Sequence, residues 1–261
     1  LGSGRIDRLH SWLAGLTERQ IAGDRWLSLA AAGAAMQLGD GAGLGRWTLI
    51  SEGHAGRHWR TDATSDRYAA TLAVLRAIVG SGGLQDARLL CESALEGLAP
   101  DDRFRAPAAF IRGVVLTLQR DTGEGLRSLE EADFLARSLD VPIIEADAKS
   151  WLGMLAISAG DRERGIHLIT AATDVIRRDR LVRLASSAHC LTAQALVLAL
   201  RGDKAAASTG LATARRLSGL IEEIAPWFAV TGRLVQARTA ILLGDGATAR
   251  LLISEARRHM T

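Results

Sequence analysis

Residues 153–172 read GMLAISAGDRERGIHLITAA. Within this stretch Gly160-Asp161 marks a turn. Gly165 follows five residues after Gly160, Ile169 stands four further on and Ala172 three beyond that, while Gly153 lies twelve residues before Gly165. A small, large, small series at spacings of four and three runs along one face of a helix. Small residues on that face let a neighbouring helix come close, and the larger one fills the seam between them. The stretch therefore predicts a first helix, a Gly-Asp turn and a second helix. The glycine ends the first helix in the left-handed conformation, and Asp161 accepts a hydrogen bond from an orphan amide of the second.

The same pattern returns along the whole chain. Turns of this kind fall at Leu38-Gly39-Asp40, Ser81-Gly82-Gly83, Gln119-Arg120-Asp121, Ala159-Gly160-Asp161, Arg201-Gly202-Asp203 and Leu243-Gly244-Asp245, with middle residues 43, 38, 40, 42 and 42 positions apart. The first small position is Leu44, Ala87, Gly125, Gly165, Ala207 or Ala249, and its partner twelve residues earlier is Ala32, Leu75, Gly113, Gly153, Ala195 or Ala237. Self-similarity at this interval is the signature of stacked supersecondary units. The expected fold is all-α, a right-handed superhelix of about six helix-turn-helix units, forming one repeat domain over 1–261. Arg120 and Gly83 depart from the Gly-Asp pattern, so the third and second turns are expected to close differently. Thirteen helices are expected, the first at 6–16, with 181–201 and 204–218 forming the fifth unit. Pro142 and Pro226 sit at helix starts, where a missing amide matters least.

These units resemble the tetratricopeptide repeat in a longer form. Near the start of the chain, Trp12-Leu13 and then Trp26-Leu27, followed by Leu38-Gly39-Asp40, resemble the opening of the tetratricopeptide-like effector domain of the MalT-like, LuxR-family ATP-dependent transcriptional regulators. That resemblance implies a signal-sensing domain that receives a small-molecule inducer on its concave face and couples it to self-association. ATP and DNA binding would belong to other segments of such a protein. Similar modules also form the C-terminal sensor region of some bacterial Ser/Thr protein kinases. A peptide- or protein-binding scaffold using the same groove is the alternative.

Composition excludes several classes. Hydrophobic residues make up 48% of the chain and aromatics only 4%, with four prolines, a balance that suits packed helices. The net charge of +3 is carried by arginines interspersed with acidic residues, Lys149 and Lys204 being the only lysines. With no block of five like charges, this reads as a solvated helical surface and predicts no nucleic-acid partner. The apolar stretches fall short of the ~20 residues that span a bilayer, so no membrane partner is expected. Cys91 and Cys190 behave as buried small hydrophobes in a reducing compartment. Lacking an initial methionine and a leader pattern, the sequence reads as a cytoplasmic fragment of a longer protein.

No catalytic constellation is visible, so no enzyme activity is expected. There is no phosphate-binding loop ending in Lys-Ser/Thr and no Gly-Xaa-Ser-Xaa-Gly. His54 and His58 share a helix face but lack the further ligands of a zinc site, and neither metal nor cofactor is expected. The long connection from Glu52 to Asp66 carries Trp59, which either packs on the first unit or contacts a partner. With first helices lining the concave wall, the repeat register turns Met36, Gln37, Arg76, Phe110, Asp147, Ser150, His189, Thr192, Thr231 and Arg238 toward the groove. Of these, Arg76, Phe110, Asp147, Ser150, His189, Thr192, Thr231 and Arg238 are the candidate ligand-binding residues. The charged members matter most, because a charge facing inward must be paired, solvated or used.

Overall fold

A computed structural model describes residues 3–57, 63–80 and 82–258. Two leading helices, α1 (Ser3–Ala14) and α2 (Glu18–Gly23), are followed by six helical hairpins. The first three pair α3 (Arg25–Leu38) with α4 (Gly41–Arg57), α5 (Ala63–Val79) with α6 (Gly83–Gly97), and α7 (Arg105–Leu118) with α8 (Thr122–Ser138). The last three pair α9 (Pro142–Ser158) with α10 (Arg162–Arg178), α11 (Ala188–Leu200) with α12 (Lys204–Glu222), and α13 (Pro226–Leu242) with α14 (Gly246–Arg258). No strand occurs among the described residues. None of the described helices is long and apolar enough to cross a membrane.

Each hairpin closes on the chemistry its sequence carries. Asp40, Asp121, Asp161, Asp203 and Asp245 accept from Gly43 N, Glu124 N, Arg164 N, Ala206 N and Thr248 N at 2.8, 3.4, 3.1, 3.1 and 3.0 Å. Each such cap contributes about 1 kcal/mol. The helices of a pair cross at the small positions. A Cβ built on Gly153 would lie 2.9 Å from Gly165 O, and one built on Gly125 would lie 3.1 Å from Gly113 O, so in α7–α8 and α9–α10 the two backbones nearly touch. Ala32, Ala195, Ala207, Ala237 and Ala249 are buried at the matching crossings. Pro142 and Pro226 open α9 and α13.

Three local expectations are corrected. The third turn closes as its relatives do: Arg120 takes the left-handed conformation itself, at φ 69°, in the place glycine holds elsewhere. Residues 181–187 do not extend α11. They form a link with a 3-10 turn at Ala185–Ser187, because Leu181 and Leu184 turn in to the buried cluster of Ile143, Ile176 and Cys190. A separate α2 also precedes the repeats, opened by a capping box between Thr17 and Gln20. His58 and Trp59 lie outside the described residues.

First helices of successive units touch one another from α3 through α13 and form the inner layer, with the second helices outside. The superhelix then closes on itself. The end of α3 meets the end of α12, where a Cβ on Gly39 would fall 2.7 Å from Leu220 Cβ, and the start of α4 meets Glu223. Ser186 Oγ donates to Gln37 Oε1 at 2.6 Å, and Trp227 Nε1 donates to Ile78 O at 2.8 Å. At this seam the indole lies so close to Gly80, at φ 66°, that a Cβ there would be 2.5 Å from its ring.

Candidate functional site

Closure of the superhelix leaves a partly open interior cavity of about 80 Å³. The inner faces of α3, α5, α7, α9 and α13 wall it, together with Ser186, the end of α12 and the turn after it. Its wall is apolar for the most part, with isoleucines at 78, 111, 143, 144, 221 and 224 and the rings of Phe110, Trp227 and Phe228. Asp147 is the one ionisable side chain among the lining residues; Gln37 and Ser186, joined to each other, are the other polar ones.

The aromatic side of the wall is built in depth. Phe228 meets Phe110 edge to face, with ring centroids 6.2 Å apart, and stacks on Trp151 at 5.6 Å. Behind it His189 stacks on Trp151 at 4.8 Å, with Phe228 5.2 Å away. Trp151 is oriented by donating from Nε1 to Thr117 Oγ1 at 3.2 Å. The rings reach this arrangement because α9, α11 and α13 are consecutive first helices: His189 and Phe228 stand in the first turn of α11 and α13, and Trp151 near the middle of α9.

Two ionisable groups here break the rule that buried polar atoms are satisfied. Asp147 is 5% exposed and its Oδ1 has no hydrogen-bond partner; His189 is 3% exposed and neither ring nitrogen has one. Burial alone drives both toward their neutral forms. It raises the Asp147 carboxyl well above the usual carboxylate range and lowers the His189 imidazole to about 3. The neighbours offer little compensation. The Cys190 thiol beside Asp147 is itself pushed up to about 12 by burial, with Arg177 beyond it. Lys149 and Glu145, on the same helix as Asp147, pair with each other and with Asp133 and Arg178.

The register placed Met36, Gln37, Phe110 and Asp147 toward the groove, and all four line the cavity. Ser150 is fully buried beside the Cys190 thiol, and Thr192 is buried as the acceptor of a 3.1 Å hydrogen bond from Gln236 Nε2; neither lines the cavity. Thr231 is half-buried and outside the lining as well. The expected grouping of Arg76, Asp147, His189 and Arg238 is not what the structure brings together. Arg76 lies at the exposed end of α5, with Nε 3.3 Å from Glu52, and Arg238 is exposed on α13. Both guanidiniums stay in water, where a long side chain extending off a helix most readily leaves its charge. Trp227 packs between helices at the seam. Sequence reasoning missed Phe228 and Ser186, which reach the cavity only because the ends of the superhelix meet. His54 Nε2 lies 2.9 Å from Ala22 O, and no cluster of metal-ligating side chains occurs among the described residues.

No family model matches the chain, and no curated protein matches it. Among solved structures it is similar to a Rap protein complexed with Competence and Sporulation Factor, at a TM-score of 0.62 and 12% identity, covering 97% of this chain and 79% of that one. The apo form of RapI gives 0.49 at 10% identity over 90% of this chain and 98% of that one. YrrB, a TPR protein with an unusual peptide-binding site, gives 0.36 at 17% identity over 81% and 90%. At such identities likeness concerns the fold: the chain is a superhelix of tetratricopeptide-like helical repeats.

Proposed function

We propose that this chain is a partner-binding scaffold, which takes a segment of a peptide or protein into the interior of its superhelix. The observation that carries the reading is the interior wall, where an apolar, aromatic surface surrounds a carboxyl and is backed by an imidazole, with one oxygen of the first and both nitrogens of the second buried without a hydrogen-bond partner. Such groups destabilise the free protein, and a site that uses them is the physical reason to keep them. The Rap protein that shares the fold was crystallised in complex with Competence and Sporulation Factor, and we carry over to this chain only the capacity to hold a partner. At about 80 Å³ the cavity admits the tip of a side chain, so admitting a longer segment requires the seam to part. Binding would then be read out as a change in superhelical shape.

A second reading keeps the regulator that Trp12-Leu13 and Trp26-Leu27 suggest. Here a small inducer fills the cavity and promotes self-association of a LuxR/MalT-like regulator, or signals within a kinase sensor. The small, largely apolar form of the cavity favours it, since small ligands bind in concave pockets with a few convergent polar groups.

Selecting a phage-displayed library of random heptapeptides on the chain, alongside a thermal-shift screen of metabolites, separates the two. Enriched peptides that compete with one another and shift the Trp227 indole resonance support the scaffold. Stabilisation by metabolites alone replaces it with the inducer reading. If neither binds, both fail.

A further inference from the structure

The chemistry of the cavity wall narrows what it can hold. Asp147 is more than nine-tenths buried and lines the cavity, and its Oδ1 has no hydrogen-bond partner. No Lys, Arg or His lines the cavity with it. An anion would therefore lose its hydration and meet no positive charge, whereas a cation meets a carboxylate. Phe110, Trp227 and Phe228 in the wall strengthen the preference, since a desolvated cation is attracted to the face of an aromatic ring. The isoleucine side of the wall requires that the cation arrive on an apolar stem. A volume of about 80 Å³ exceeds the room needed by one water and falls below the ~150 Å³ of a cavity that takes up benzene.

We propose that the cavity is a cation site, in which Asp147 receives an ammonium or guanidinium nitrogen carried on an apolar stem. This rests on the interior being the binding site and specifies the chemical class of what enters. Two sources share that chemistry: a small free amine, and a lysine or arginine side chain presented by a peptide. As the cation seats, the carboxyl releases its proton to solvent and an ion pair forms away from water. The buried ring of His189, kept uncharged, adds no repulsion.

The test titrates the whole chain with n-butylammonium, n-butanol and butyrate, following the Trp227 indole N–H resonance and the binding heat. Butylammonium should saturate, with the alcohol and the carboxylate at least tenfold weaker. Asp147→Asn should weaken butylammonium at least tenfold. Because that change replaces a buried, unsatisfied acid with an amide that has no charge to lose on folding, the variant should melt at or above the temperature of the parent, which separates loss of binding from loss of folding. Ile144→Phe, which narrows the cavity and leaves Asp147 in place, should also abolish binding. In a second arm, the peptide acetyl-Ala-Leu-Lys-Leu-Ala-amide is compared with its norleucine analogue. A preference for lysine that vanishes in Asp147→Asn identifies a peptide side chain as the source. Butylammonium binding that depends on Asp147, without peptide binding, supports the cation site and identifies small amines, and the scaffold reading then fails by itself. If butanol binds as well as butylammonium, or if Asp147→Asn leaves both amine and peptide unaffected, the cation site is overturned. Display-selected peptides that still bind Asp147→Asn would leave the scaffold reading standing without it.

Discussion

Asp147 and His189 act on stability in opposite directions. His189 is neutral in the folded chain, with a pKa of about 3 against 6.5 when free. Its contribution is complete above pH 6.5 and drains as pH falls toward 3, because the unfolded chain then takes up a proton that the folded one refuses. Asp147 is raised above its ordinary 3.8. Its contribution is complete below that value and is lost as pH rises through the folded pKa. Above pH 3.8 the two slopes therefore oppose each other. Asp147→Asn should therefore unmask the imidazole: the variant's stability should rise more steeply with pH, from pH 4 upward, than the parent's. His189→Phe should reveal the reverse slope. Urea unfolding at several pH values checks both, and parallel profiles for parent and variants would contradict the assignment.

At the scale of the element, the hairpins show how local chemistry sets geometry and where substitutions change it. Arg120 occupies a left-handed turn position at φ 69° that glycine holds in four sister turns. Arg120→Gly should accordingly stabilise the chain by roughly 1 kcal/mol, read as a higher urea midpoint with unchanged slope. Gly165→Ala tests the opposite limit. Helix propensity favours alanine by about 1 kcal/mol, but its Cβ would fall 2.5 Å from Gly153 O, which is backbone and cannot rotate away. Overpacking should win, for a net loss of roughly 1–2 kcal/mol.

These elements were largely legible in the sequence, because Gly-Asp turns and paired small residues act within a single hairpin. The same register put Phe110 and Asp147 on the inner wall. It misplaced Arg76 and Arg238, because helical periodicity gives the direction of a Cβ and not where a six-atom side chain takes its charge. The link at 181–187 was read as helix because its apolar residues suit either state, and burial of Leu181 and Leu184 against the neighbouring unit decided between them.

At the scale of the whole molecule, the decisive feature is the seam, and no short-range signal encodes it. Superhelical curvature accumulates over successive units until Gln37 meets Ser186 and Ile78 meets Trp227. Phe228 and Ser186 join the site only through that closure. Trp227→Ala should remove the indole bond and its packing on Gly80 and let the ends part, which small-angle scattering would record as a larger radius of gyration with unchanged helix content. An unchanged radius would show that Leu220 and Glu223, against Gly39 and Gly41, suffice to hold the ring.

Both hydrogen bonds across the seam join residues 149 positions apart. An open solenoid behaves like a row of neighbours: its ends fray, and its units can melt in succession. Here terminal repeats are tied to the middle of the chain, so fraying at one end is felt at the other, and melting should be more nearly all-or-none than in a linear array of the same length. Kinetically the reverse holds, since the contacts that confer this cooperativity close a very long loop. The seam should therefore form last, after hairpins that each need only their own turn.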